Sequence, residues 1–218
     1  MNPLEKTVVS LDWMGVVLFL SLVALTLGKT LHHGKFLNFI ILPFNDKYML
    51  LHQKKGQRFD WFQILMTLFQ LLNLSLFIFL ALKAFGVLPR KADWGVFLFI
   101  LGALVLFQLL KSAAQLFTAY VFNSRELISG ILFSKLSYLN HSGIVLCVAN
   151  LVLAYILVDS KTVIYIALVL LVLINGIGTL KLLKHHQKAM LPYFMYFILY
   201  LCALEIAPLV LIGSYLKG

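Results

Sequence analysis

DWFQILMTLFQLLNLSLFIFLALKA, Asp60–Ala84, is the stretch that decides the fold. From Trp61 onward it runs 24 residues, and its one ionisable side chain is Lys83, next to the end. At about 1.5 Å of rise per residue, a helix of this length crosses the roughly 30 Å hydrocarbon core of a bilayer. Lipid offers the backbone no hydrogen-bond partner, so the run must satisfy its own amides as a helix. Asp60 and Trp61 mark its start: the carboxylate suits exposed N–H groups of a first turn, and the indole suits the headgroup boundary.

The same arrangement recurs outward along the chain. Asp12-Trp13 and Asp93-Trp94 head two further apolar runs, which uses all 3 tryptophans in this way. Asp159-Ser160 offers a cap before another run, and Pro192 fits a first helical turn. The predicted spans are Trp13 to about Leu31, Trp61–Ala84, Trp94–Leu110, Gly143–Val158, Val163–Leu180 and Pro192–Leu216. The expected fold is an all-α, polytopic transmembrane helical bundle of about six spans plus interfacial helices, forming one integral membrane domain over residues 1–218. The first run reads as a retained span rather than a signal-peptide core, because no A-x-A-like cleavage site follows it.

Composition agrees. Of 218 residues, 62% are hydrophobic and 12% charged, with a mean hydropathy of +0.97. Soluble domains carry about 25% charged residues. A globule this apolar would lack the polar surface to cover itself, so lipid is the solvent. The net charge of +10 comes from 18 Lys and Arg spread against 8 acidic residues. That is the excess expected of loops facing anionic headgroups, and no basic, aromatic-interleaved module for nucleic acid accompanies it. Cys147 and Cys202 lie in apolar runs and read as buried free thiols.

Two stretches resist simple assignment. Within Lys29–Asp60, the segments Phe36–Pro43 and Tyr48–Leu51 are too apolar for a free loop and too short to cross. An interfacial or re-entrant segment over 32–60 fits them. Ser112–Ser142 would, as a seventh span, set Arg125 and Glu126 near mid-membrane. As interfacial structure over 112–142, it extends the third helix and then lies along the surface. Charge bias separates the two topologies. Six spans place 12 basic residues on one side and 6 on the other, whereas seven spans reduce the bias to 9 against 8. Basic loops face the cytoplasm, so six spans with both termini periplasmic are expected. No internal repeat pairs the halves as in an inverted-repeat transporter.

Glu205, 13 positions after Pro192, falls near the bilayer centre of the sixth span. An ionised carboxylate there costs at least about 2.5–3.5 kcal/mol, so it must be protonated, turned inward or partnered. Asn73, Asn150 and Asn175, inside the second, fourth and fifth spans, are its candidate partners. Pro208 should loosen the helix beside it. Arg125 and Glu126, with His141, form a candidate interfacial charge site where Arg125 would hold a phosphate or an acidic partner. The histidines, His32-His33, His52, His141 and His185-His186, come without HExxH spacing or clustered carboxylates. Neither a metal site nor a cofactor is expected.

FNDKYMLL (Phe44–Leu51), KLSYLNHSG (Lys135–Gly143) and YFILYLCALEIAPLVLI (Tyr196–Ile212) resemble an integral-membrane family of the Bacteroidota, one of the numbered domains of unknown function. The closing tract, with Glu205 and Pro208, is the most specific part. The resemblance runs over nearly the whole chain and implies the inner membrane of a Gram-negative cell. It implies no activity and no catalytic residues.

The function expected from these features is that of a non-enzymatic inner-membrane subunit or assembly factor whose partners are the lipid bilayer and other envelope proteins. A small permease or proton-coupled carrier using Glu205 is the alternative. A lipid-headgroup enzyme using Arg125, Glu126 and His141 is a third reading, without a nucleophile or metal set.

Overall fold

The computed structural model describes residues 12–42, 61–88, 94–121 and 125–190. Among them are six α-helices and no strand: α1 (Asp12–Leu31), α2 (His33–Ile40), α3 (Trp61–Ala84), α4 (Trp94–Val121), α5 (Arg125–Leu151) and α6 (Lys161–Met190). A single π-helical turn, Val152–Ile156, extends α5. Five segments are long and apolar enough to cross a membrane: Trp13–Leu31, Trp61–Ala84, Trp94–Gln115, Leu132–Ile156 and Lys161–Lys181. The fold is therefore an all-α helical bundle compatible with a multi-pass membrane protein. The sequence-predicted sixth span at 192–216, and residues 43–60 and 122–124 of the interfacial segments, lie outside the described residues.

By contacts the chain divides into two compact units, Met1–Gly178 and Thr179–Gly218. The helix packing belongs to the first unit, and the described residues of the second are 179–190, the last stretch of α6.

Side-chain contacts set the helix directions. Trp13 meets Phe79 edge-on at 5.1 Å, Ala24 packs with Phe69, and Gly28 lies against Met66, so α1 and α3 are antiparallel. Asn140 reaches Thr67, Gly143 lies against Gln70, and Asn150 reaches Asn73. These contacts advance together along both chains, so α3 and α5 run parallel, with α4 as the return between them. The spans of α3 and α5 are half buried and that of α4 is almost wholly exposed, which places the parallel pair at the centre of the first unit. The outward faces carry apolar side chains such as Phe19, Phe99, Leu109 and Val172.

Two apolar clusters close the ends. The start of α1, the ends of α3 and α5 and the starts of α4 and α6 meet around Met14, Leu18, Leu76, Phe79, Phe97, Leu146, Leu153 and Ile164. The other end holds Phe36, Phe39, Leu42, Phe62, Met66 and Tyr138. That end is the α2 side. The backbone leaves the helical region at His32 (φ −138°, ψ 54°), which turns α2 back onto the bundle. Phe36 and Phe39 then point inward, while Leu37, Ile40 and Ile41 are exposed. One buried and one exposed apolar face suit a short helix lying at a lipid interface.

Two span boundaries differ from the hydropathy reading. The third span reaches Gln115 rather than Leu110, and its helix continues to Val121 as the expected extension of the third helix. The fourth begins at Leu132 rather than Gly143, because α5 is continuous from Arg125 and has no separate interfacial helix ahead of it. Ser134, Ser137, Asn140 and Ser142 lower the hydropathy of that stretch but are buried against neighbouring helices. Trp13 is also more than a boundary marker. It packs on Phe79 and on Phe97 at 5.3 Å, whereas Trp61 and Trp94 are exposed at the heads of their helices.

The end of α3 follows from one glycine. Gly86 has φ +75°, its N–H bonds the Lys83 carbonyl at 3.1 Å, and the Val87 N–H bonds the Leu82 carbonyl at 3.0 Å. This pair of bonds is the Schellman closure that a left-handed glycine permits. Asp159, at φ 59°, makes the corresponding left-handed turn before α6, a conformation aspartate tolerates better than most residues.

Gly143 is the tightest point of the central pair. A Cβ there would sit 3.1 Å from the Gln70 Cα and 3.2 Å from the Phe69 ring, whereas nothing lies within 4 Å of one at Gly102. Gly143→Leu should therefore destabilise the protein by about 1–3 kcal/mol through overpacking. Gly102→Leu should change it by no more than about 0.5 kcal/mol. Thermal unfolding of the two variants in detergent checks this difference.

Candidate functional site

The interior between α3 and α5 carries a seam of uncharged polar side chains. From α3 come Gln63, Thr67, Gln70 and Asn73, spaced four, three and three residues apart along one face. From α5 come Ser134, Ser137, Asn140, Ser142 and Asn150. A seam of this kind in a membrane bundle joins helices or lines a path, because a polar group turned to lipid lacks partners.

Hydroxyls and amides divide the bonding. Thr67, Ser75, Ser137 and Ser142 donate to carbonyls three or four residues back on their own helices, at 2.6–2.9 Å. These bonds satisfy the hydroxyls locally and join nothing. The amides of α5 cross between helices instead. The Asn140 Nδ2 donates to the Thr67 Oγ1 at 3.0 Å, and the Asn150 Nδ2 donates to the main-chain carbonyl of Asn73 at 2.8 Å. A helical carbonyl keeps a second lone pair for such a donor. Asn73 turns its own Nδ2 to the Phe69 carbonyl at 2.9 Å. Three acceptors in the seam remain without a donor: the Gln70 Oε1, the Asn140 Oδ1 and the Asn150 Oδ1. All three residues are at most 1% exposed.

At the α2 side the seam ends beneath α2. The His141 Nδ1 lies 3.1 Å from the Phe39 carbonyl. A carbonyl only accepts, so Nδ1 carries the hydrogen. The imidazole also packs on the Phe39 ring at 5.5 Å, and that ring meets Phe62 at 5.7 Å. Tyr138 donates its hydroxyl to the Leu42 carbonyl at 3.5 Å, and its ring lies where Gly178 of α6 leaves room. At the opposite end, Lys161 sits 5.5 Å over the Phe85 ring, which meets Tyr165 at 6.0 Å.

The sequence-predicted site residues divide accordingly. Asn73 and Asn150 come together as a bonded pair. Asn175 stands apart from that bond, turning its Nδ2 to the Leu171 carbonyl of its own helix at 2.9 Å. Glu205 lies outside the described residues. Arg125, Glu126 and His141 do not form one centre. They share α5, and the 16 positions between Arg125 and His141 amount to about 24 Å along a helix axis. His141 serves α2 instead. Sequence reasoning passed over Gln63, Thr67, Gln70 and Asn140, although the α3 spacing alone draws a stripe on an otherwise apolar helix. Among the described residues no three His, Cys, Asp or Glu side chains converge as metal ligands.

These bonds make distinct demands on the two asparagines. Asn150→Ala should destabilise the protein by about 0.5–1.7 kcal/mol, the range of side-chain hydrogen bonds between membrane helices. Asn73→Ala should lose less, since the acceptor it offers Asn150 is main chain. Asn140 and Thr67, joined side chain to side chain, should couple by about 0.6 kcal/mol in a double-mutant cycle. Equal losses at Asn73 and Asn150 would contradict the geometry.

No curated protein and no solved structure matches the chain. A family model does, over residues 14–216, which takes in all of the described helices but the first two residues of α1, and the whole polar seam. The chain belongs to the family described as domain of unknown function DUF4271.

Proposed function

We propose that this protein is a non-enzymatic subunit or assembly factor of an envelope complex in the inner membrane of a Gram-negative bacterium of the Bacteroidota, with both termini periplasmic. The observation that carries the reading is the character of the interior. The described lysines of the first unit, Lys29, Lys35, Lys83, Lys111, Lys135 and Lys161, lie within four residues of a span end. Between them the polar groups are amides, hydroxyls and the His141 imidazole, most of whose donors bond helix carbonyls, which supports assembly rather than turnover. The α2 side also carries Lys29, Lys35, Lys111 and Lys135, against Lys83 and Lys161 opposite. That bias supports a cytoplasmic α2 side.

The test begins with the tagged chain expressed at its native level and extracted in mild detergent. A stoichiometric complex with other membrane proteins is expected, and recovery of the chain alone would overturn the proposal. Glu205→Gln separates this reading from a carrier. Loss of the complex places the carboxyl at an assembly contact. An intact complex with proton-coupled flux abolished in reconstituted vesicles would replace the subunit reading with a carrier. For orientation, a cysteine replacing Lys35 should react with an impermeant thiol reagent in inverted vesicles and stay protected in right-side-out ones.

A further inference from the structure

We infer that α2 is a docking element for anionic phospholipid: acyl chains cover Leu37, Ile40 and Ile41, and Lys29 and Lys35 hold the phosphates. This goes beyond the subunit reading and rests only on the bundle lying in a bilayer. Helical spacing divides α2 into three sectors. At about 100° per residue, Phe36 and Phe39 form one, and Leu37, Ile40 and the following Ile41 form a second, with His33 at its first turn. Lys35 and Asn38 form the third, and the sectors stand about a third of a turn apart. The first is buried in the bundle, the second is exposed, and the third is half-buried between them. One apolar sector suffices to seat a helix on a bundle. A second, turned outward, suits a helix with an apolar medium beside it and its polar sector at the headgroups. The Asn38 Nδ2 meets the Gly34 carbonyl at 2.7 Å, so that amide is satisfied within α2.

Depth and charge select the occupant. The buried sector packs with Phe62 and Met66, in the first two turns of α3 beside Trp61. A tryptophan at the head of a span marks the headgroup boundary, so α2 lies where acyl chains meet phosphates. From Trp13 to Leu42 the chain has no acidic residue, and its lysines are Lys29, exposed in the last turn of α1, and Lys35. Lys111 and Lys135 stand at the same end of their spans. Basic side chains beside an outward apolar face complement a negatively charged headgroup layer. Lys35 also interacts within the protein. An ammonium has three donors, so a phosphate contact does not require the residue to be free. The outward sector carries no Trp, Tyr, Phe or Arg, the residues that most often anchor a protein partner, which favours lipid as the occupant.

Quenching by acyl-brominated lipids tests the site, in the full chain with its native cysteines replaced by alanine and reconstituted into phosphatidylcholine vesicles. A bimane label on Leu37→Cys should be quenched, with brominated phosphatidylglycerol competing for the position about fivefold better than brominated phosphatidylcholine. A label on Val172→Cys, exposed on the span of α6, should be quenched equally by both. Lys29→Gln combined with Lys35→Gln should bring the ratio at the Leu37 position close to one. Lys29→Arg combined with Lys35→Arg should keep it, because the phosphates read charge. Equal affinity of the two lipids beside α2, or a preference that survives the glutamine pair, overturns the proposal. Quenching at the Val172 position without quenching at the Leu37 position means that acyl chains do not meet α2, and overturns it as well. Thermal unfolding of the unlabelled, unaltered chain in detergent gives a second answer. Added phosphatidylglycerol should raise Tm more than phosphatidylcholine does, and the excess should shrink in the glutamine pair. An equal rise with both lipids counts against the site.

Discussion

The parallel contact of α3 and α5 is the interaction on which the rest of the bundle depends. Inside a bilayer, burying a leucine gains nothing from water, because the lipid tails are as apolar as the protein. Helices associate there through close packing and hydrogen bonds. The central pair has both: Gly143 brings α5 onto the Gln70 backbone, and the Asn140–Thr67 and Asn150–Asn73 bonds lie on either side of that contact. Every other helix of the first unit is placed against this pair. α1 packs along α3, and α4 returns between α3 and α5. α6 reaches α5 where Gly178 admits the Tyr138 ring.

That central contact also makes the two ends of the bundle unlike. Towards the opposite side, the seam gives way to an apolar layer in which Trp13 ties the start of α1 to Phe79 and Phe97. Towards the α2 side, polar groups continue until α2 covers them, anchored by His141 and Tyr138. The hydroxyls of Ser75, Ser137 and Ser142 return to their own backbones, whereas that of Thr67 also accepts the Asn140 bond between helices. The amides, with a donor and an acceptor on one short arm, connect helices and leave acceptors over.

The spans of α1 and α3, and the heads of three helices at Trp13, Trp61 and Trp94, were legible in the sequence. A 19- to 24-residue apolar run with polar ends admits one solution in lipid. The closure of α3 at Gly86 was equally local. The start of the fourth span was not legible as such. Ser134, Ser137, Asn140 and Ser142 lower the hydropathy of their segment, and hydropathy sums residues without regard to the face they occupy. The same blindness concealed the role of His141, which reads as an interfacial histidine and acts 102 positions away on Phe39.

For the candidate site, residue type was sequence information and partnership was not. That Asn73 and Asn150 needed partners followed from an amide in an apolar run. That they chose each other, that Asn175 turned to its own helix, and that Arg125 and His141 stand about 24 Å apart on α5 required the tertiary structure. The physical reason is range. Solvent preference and backbone satisfaction act on each residue where it stands, so the order of residues alone determined an all-helical chain with segments long and apolar enough to cross a membrane. Parallel pairing, the close approach at Gly143 and the docking of α2 depend on which faces meet across 70 to 100 residues of chain, and only packing decided that.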